Sequence, residues 1–477
     1  MSNDSSVRGT TLRAGVLGVG AVTFFVVSAA GPLIAMAAGV PITMLIGNGA
    51  GVPAMFIIAT LLLLAFAAGF TAMAHDVRTA GGFYAFAAVG LGGHAAGATA
   101  AAALLGYTAM VVGIYGLFGS AAADLLQQLL GHRPPWWVCA FAAMGLIGVL
   151  GYRQVDLSAK VLAVLVVCEY AVVLVLDAAI LGNPQAELSF ASFTPAVIGT
   201  GSPAIGLLMC FTAFIGFEAT TLYAEEAQDP ARTIPRATYV SLLVIGGFYV
   251  FSSWCIVAAL GHARVLGVVS QLADPTTLLF GLAADRVGVP LAQLMRVLLV
   301  TSSFAALLAF HNSLSRYYFA LSREAVIARN LGQAHPLHRS PAKASLWQTG
   351  VEFLAILVFA LAQVDPITVL FVRVSAVGTL GIVALMTIAS AAVFGYFRIR
   401  RANRWRTRFL PVIGALGLLW VLAMACLRFD VLAGGQSPVV QWLPVLLPVA
   451  LLLGIAATER LRRQDPQGFR QLGRVRL

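Results

Sequence analysis

The chain has 477 residues, of which 60% are apolar and 10% charged, with a formal net charge of +11. A soluble domain carries about a quarter charged residues, so this one has too little polar surface to cover its apolar content in water. Lipid is the solvent its composition implies, and the basic excess must be read from where the charges fall.

A helix needs roughly 20 apolar residues to cross about 30 Å of hydrocarbon. Runs of that kind predict spans over 15–38, 49–73, 95–122, 136–152, 157–181, 204–223, 237–260, 289–315, 345–363, 367–396, 409–427 and 439–457. The segment before Gly15 is short and polar, and the apolar run after it is too long for a signal-peptide core. It is read as a true span, interrupted midway by Ser28-Ala29-Ala30-Gly31-Pro32.

After span two, residues 75–94, with Gly81, Gly82, Gly92 and Gly93, read as an amphipathic piece at the interface. In span three, Tyr107 and Tyr115 are eight apart and are expected on nearly one face. Span five carries Glu169. Span six is interrupted at Phe214-Ile215-Gly216-Phe217-Glu218, where a glycine stands beside an acid. Residues 272–286 again read as interfacial. Span eight holds Arg296, Ser302, Ser303 and His311, span nine Glu352 and span ten Arg373. No soluble domain separates these spans.

The charge distribution sets the topology. With the N-terminus inside, cytosolic segments hold Arg8, Arg13, Arg78, Arg153, Lys160, Arg232, Arg236, Arg316, Arg323, Arg329, Arg339 and Lys343. They also hold the cluster Arg398, Arg400, Arg401, Arg404, Arg406 and Arg408, and the tail Arg460, Arg462, Arg463, Arg470, Arg474 and Arg476. That is 24 of the 30 basic residues. Both termini are therefore expected in the cytosol of a multi-pass plasma-membrane protein, and no nucleic-acid partner is implied. Cys139, Cys168, Cys210, Cys255 and Cys426 are scattered singly with no metal-type spacing and read as buried, inert thiols. No metal or other cofactor is implied.

Broken spans one and six are five helices apart, the arrangement of transporters built from two inverted five-helix repeats. Repeat one is expected over about 15–181 and repeat two over about 197–397. Two further helices follow within 401–458, and cytosolic tails occupy 1–14 and 459–477. Counted along each helix from its expected cytosolic edge, Ser28, Glu218 and Glu169 all fall near the bilayer midplane. A broken helix exposes backbone groups that hydrocarbon cannot satisfy. Its free N–H groups suit a carboxylate and its carbonyls an ammonium, so a zwitterionic amino acid fits the paired breaks. A kink without ligand is the plain alternative.

Glu169 and Glu218 are ionisable groups at membrane depth and are candidates to load and release a proton. A protonated carboxyl that only ties helices together is the competing reading. Tyr107 is expected to line the cavity, and Ser302 and Ser303 to offer oxygens to a coupling cation. His311, Arg296, Glu352 and Arg373 read equally well as helix-packing groups.

At span six, FTAFIGFEATTLYAEEAQDPARTIPRA over 211–237 resembles the signature of the amino acid–polyamine–organocation (APC) permeases. AGGFYAFAAVGLG at 80–92, LSAKVLAVLVVCE at 157–169 and SLSRYYFALSRE at 313–324 are similar to other pieces of that family in the same order. The resemblance implies an all-α LeuT-type fold of ten core helices plus two, moving amino acids by alternating access. It implies that Ser28, Ala29, Ala30 and Gly31 meet the substrate carboxylate, and that Phe214, Ile215 and Gly216 offer carbonyls to its amino group; Phe217, next in the break, is a further substrate-binding candidate. The loop following Glu218 would shape the inward gate. Two positions depart from the family pattern. Ser-Ala-Ala-Gly-Pro replaces a glycine-rich turn in span one. Glu169 stands where some proton-coupled members carry lysine, so a lysine mechanism does not transfer. The expected function is a proton-coupled amino acid transporter. Sodium symport, exchange of amino acid for amine, and a non-transporting receptor remain open alternatives. No serine–histidine dyad or paired catalytic aspartates suggest an enzyme.

Overall fold

The computed structural model describes residues 15–77, 82–153, 157–224, 226–272, 274–336, 338, 340–398, 405–435 and 437–473. The N-terminal tail with Arg8 and Arg13 lies outside them, as do Arg78, Gly81, Glu225, Arg339, Arg400, Arg401, Arg404, Arg474, Arg476 and the side chains of Lys160, Arg406 and Arg408.

The architecture is all-helical. Eleven helices among the described residues are long and apolar enough to cross a membrane. They are Val19–Ile46, Gly49–Ala74, Gly93–Leu130, Trp136–Arg153, Ala163–Leu181, Pro230–Leu260, Val289–Arg323, Ala342–Leu361, Pro366–Phe397, Leu410–Leu427 and Pro438–Gln464. Each falls on an expected span. The remaining one, span six, is two short pieces, Pro203–Thr212 and Phe217–Tyr223. Neither crosses alone, which is why eleven rather than twelve continuous helices appear. Below, the near side is the end of the bundle where span one begins, and the far side is its opposite.

Small residues let the helices approach closely, as expected where lipid supplies no hydrophobic drive between them. A Cβ on Gly97 of span three would meet the Gly454 carbonyl of span twelve, and one on Gly106 would meet Ile382 of span ten. The expected interfacial piece at 75–94 is different in kind. Its helix, Gly82–Leu91, is buried along Gly82–Ala87, with Phe83 and Phe86 packed among Phe66 and Phe70 of span two. Its two-sided apolar character reflects cover by protein on both faces rather than lipid on one. The cysteines also split: Cys139, Cys210 and Cys255 are buried, Cys168 is half-buried, and Cys426 is exposed on the outer surface of span eleven.

The C-terminal segment docks on this near-side helix. After Pro466–Gln471, Leu472 is buried and the Gly473 N–H donates to both Glu324 carboxylate oxygens at 2.9 and 3.1 Å. Tyr84 Oη donates to the same carboxylate at 2.6 Å. Gly473 has φ +69°, and a Cβ there would lie 2.7 Å from Ala88 Cβ and 2.9 Å from the Ala85 carbonyl. Gly473→Val combines left-handed strain with overpacking, a cost of about 2–4 kcal/mol. It is expected to release the tail, seen as faster tryptic cleavage after Arg470. Unchanged cleavage would show that the tail is held elsewhere.

Candidate functional site

Span one breaks where its sequence changes chemistry. Gly31 adopts φ +56°, ψ +71°, a left-handed conformation that glycine enters without Cβ strain. Pro32 has no N–H to offer and starts the second half-helix with its preset φ. Span six breaks after Thr212. A turn over 213–216 ends at Gly216, φ +116°, before the tight helix Phe217–Tyr223 begins.

The two breaks touch. A Cβ on Gly216 would lie 2.8 Å from Ala29 Cβ and 3.1 Å from the Ala29 carbonyl carbon. Tyr249 of span seven reaches both, its hydroxyl 3.4 Å from the Ala30 carbonyl and 3.3 Å from the Ala213 carbonyl. Beside this junction lies a cavity of about 260 Å³. Ala29, Ala30, Ala213 and Ile215 form its broken-helix wall, and Met110, Ile114 and Phe310 face them from spans three and eight. Thr43, Thr212, Ser375 and Thr379 supply the polar lining. Among the described residues no charged side chain lines it. The cavity extends to Phe371 and Val372 at the start of span ten and to Val431, Leu432 and Gly434 beyond span eleven, so it points toward the far side.

The acids singled out in the sequence both reach the junction. Glu169 is 1% exposed. It accepts from Ser302 Oγ at 2.7 Å and lies beside the backbone N–H of Leu33, just past the span-one break. Glu218 is equally buried and accepts from the Gly216 N–H at 2.8 Å and from Tyr107 Oη at 3.0 Å. Each carboxyl thus faces a backbone N–H that its own broken helix, or the facing one, leaves over.

Other expected residues land differently. Gly31 N–H closes on the Ser28 carbonyl at 3.2 Å, and the Ser28 hydroxyl is buried without a partner among the described residues. Ala29 and Ala30, not Ser28 or Gly31, line the cavity. Of the span-six group only Ile215 does. Phe214 packs on Phe56 and Tyr249, and Phe217 on Phe66. Tyr107 is withdrawn from the cavity by its bond to Glu218. Tyr115 does not share its environment: it donates to Glu352 at 3.0 Å. Ser303 bonds back to the Leu299 carbonyl at 2.8 Å rather than joining Ser302. His311 lies between Glu352 (3.1 Å) and Ser345 (2.9 Å), all buried. Arg296 stacks over Phe280 at 4.7 Å. Arg373 leaves its Nε buried without a hydrogen-bond partner among the described residues.

Among the described residues, several contacts cross the near side. Phe25 stacks on Tyr223 with centroids 5.3 Å apart. Arg316 of span eight lies over the Tyr223 ring and binds Glu226 through Nη2 at 2.6 Å and Nε at 3.1 Å. The Glu226 carbonyl accepts from Val16 and Leu17, and Gln228 N–H returns to the Leu17 carbonyl. The ion pair in this loop was not legible in the sequence, because Glu226 and Arg316 are distant in the chain. Arg316→Ala removes two charge-assisted hydrogen bonds from the buried Glu226 carboxylate, a loss of about 1.5–3 kcal/mol. A cysteine placed at buried Thr221 is then expected to label faster from the near side; equal labelling would show that the pair does not hold this end closed.

Residues 17–456 match the model of the family described as amino acid permease. The chain is 27% identical over 86% of its length to the branched-chain amino acid permease BcaP of Bacillus subtilis, covering 87% of that protein. It is 26% identical over 45% of its length to the low-affinity putrescine importer PlaP of Escherichia coli K12, covering 45% of that protein. To BcaP of Lactococcus lactis it is 25% identical over 45%, covering 43%.

Proposed function

This chain belongs to the amino acid permease family, and from that we propose that it is a proton-coupled symporter of neutral, aliphatic amino acids working by alternating access in a LeuT-type core. The observation that carries the reading is the contact of two broken helices at one small apolar cavity. A zwitterion needs both backbone polarities at α-carbon spacing, and only such a junction offers them without side-chain charge. The side chain would then rest among Met110, Ile114 and Phe310. Branched-chain amino acids, the cargo in the name of one relative, suit that lining. A diamine does not, since no described acid faces the cavity to pair its second ammonium.

Coupling follows from competition. The Leu33 N–H beside Glu169 is the kind of donor a substrate carboxylate seeks. Protonating Glu169 weakens its claim on that donor, so proton and substrate each favour the other's binding by the same factor. The contacts across the near side and the far-pointing cavity correspond to one end state of the cycle. By the distribution of basic residues the near side faces the cytosol, so under an inward proton gradient the coupled cycle runs as import.

The test is uptake of labelled leucine, isoleucine, lysine and putrescine into proteoliposomes, with and without an imposed pH gradient and sodium. Leucine and isoleucine are expected to accumulate only with the pH gradient, with lysine and putrescine neither accumulating nor competing. Sodium-driven accumulation would replace the coupling ion. Binding without flux would replace the transporter reading by a receptor.

A further inference from the structure

Span five buries a second carboxyl that the mechanism above does not use. Asp177 is 1% exposed. It lies eight residues beyond Glu169, about 12 Å along the helix, and four residues, about 6 Å, from the far-side end at Leu181. Ser252 Oγ of span seven donates to it at 2.6 Å, and the Cys255 thiol lies beside it. Neither group carries a compensating charge. A carboxyl buried at membrane depth against a hydroxyl and a thiol is costly to hold as an anion, and such groups mark ion or proton routes by default.

Two tyrosines lie between it and Glu169 on the facing surfaces of spans five and seven. Tyr249 stands one turn below Ser252 on span seven, and its hydroxyl reaches the break junction at the Ala30 and Ala213 carbonyls, 3.4 and 3.3 Å away. Tyr170, next to Glu169, has a buried hydroxyl without a partner among the described residues. At the far-side surface above Asp177, Glu187 pairs with His262, both partly exposed, and the Glu187 N–H is fixed to the Ala258 carbonyl of span seven.

We propose that Asp177 is the far-side proton port of this carrier, passing protons between far-side solvent and Glu169 along the span five–span seven interface. The inference rests on the proton-coupled reading above. Each passage moves one proton: solvent protonates an Asp177 oxygen, and the Ser252, Tyr249 and Tyr170 hydroxyls with intervening water deliver a proton to a Glu169 oxygen. Nothing is oxidised or reduced. The titratable groups facing the route are Cys255 and Tyr249 from span seven and Tyr170 and Glu169 from span five. Span eight contributes Ser302 and, six residues toward the far side, Arg296, which stacks over Phe280; span one, Val19–Ile46, contains no titratable residue. Asp285 and Arg286, on the helix Leu278–Arg286 that also packs on span five, sit at the far-side end.

The test uses purified Asp177→Asn and Asp177→Glu in proteoliposomes. Leucine accumulation driven by a pH gradient is compared with leucine counterflow at equal pH. For Asp177→Asn, driven accumulation is expected to fall at least about tenfold while counterflow stays within about twofold, and Asp177→Glu is expected to restore driven accumulation. Asp177→Asn that accumulates like the unaltered protein overturns the port. So does loss of both activities in both variants, which would make Asp177 a packing residue. If the unaltered protein shows no pH-driven accumulation, it is the coupling reading that fails, and the inference falls with it.

Discussion

Gly216→Ala is expected to abolish most transport while leaving a folded protein. The added methyl would meet Ala29 Cβ at 2.8 Å and the Ala30 nitrogen at 3.2 Å, and φ +116° disfavours any side chain. Left-handed strain and overpacking together cost about 2–5 kcal/mol. If that strain separates the two breaks in the transporting states, the rate falls by about 30-fold to several thousandfold. Initial rates of leucine uptake measure the effect. Gly247→Ala is the control: a Cβ there meets nothing within 4 Å, and uptake should be unchanged. Normal uptake by Gly216→Ala would mean that the junction is not where substrate passes.

Glu169→Gln is expected to remove the response to a pH gradient. In the unaltered protein leucine affinity should rise on acidification, because the proton on Glu169 frees the Leu33 N–H for the substrate carboxylate. The glutamine variant has no such proton to bind, so its affinity should be flat with pH. Isothermal titration or scintillation proximity binding across pH 5–8 reads this directly. Driven uptake that survives Glu169→Gln and Glu218→Gln together would eliminate carboxyl coupling. Glu218 has a different expected phenotype: its bonds to Gly216 N–H and Tyr107 brace the span-six break, so its loss should slow both driven uptake and exchange.

What could be read from the sequence was whatever the backbone dictates locally. Gly31-Pro32 and Gly216 punctuate long apolar runs, and both are left-handed breaks. Glu169 was visible as an acid in hydrocarbon, and its depth agreed with that of Ser28 and Glu218. Pairings between helices were not legible. Tyr107 and Tyr115 look equivalent on paper, yet they stand about 12 Å apart along a 38-residue helix and serve different acids. Asp177 was missed because four residues from a helix end it resembles a boundary charge. Met110, Ile114 and Phe310 carry no sequence mark at all: an apolar side chain lining a cavity is chemically the same as one packed in a core. The packing of the helix Gly82–Leu91 against spans two, three and ten was not legible, because those are contacts between distant parts of the chain.

The location of the substrate is tested most directly by a structure determined with leucine bound. The carboxylate is predicted at the start of the second half of span one, near Leu33, with the side chain among Met110, Ile114 and Phe310 and the ammonium toward the 213–216 turn. Leucine bound away from both breaks, or spans one and six running continuous in that structure, would contradict the account.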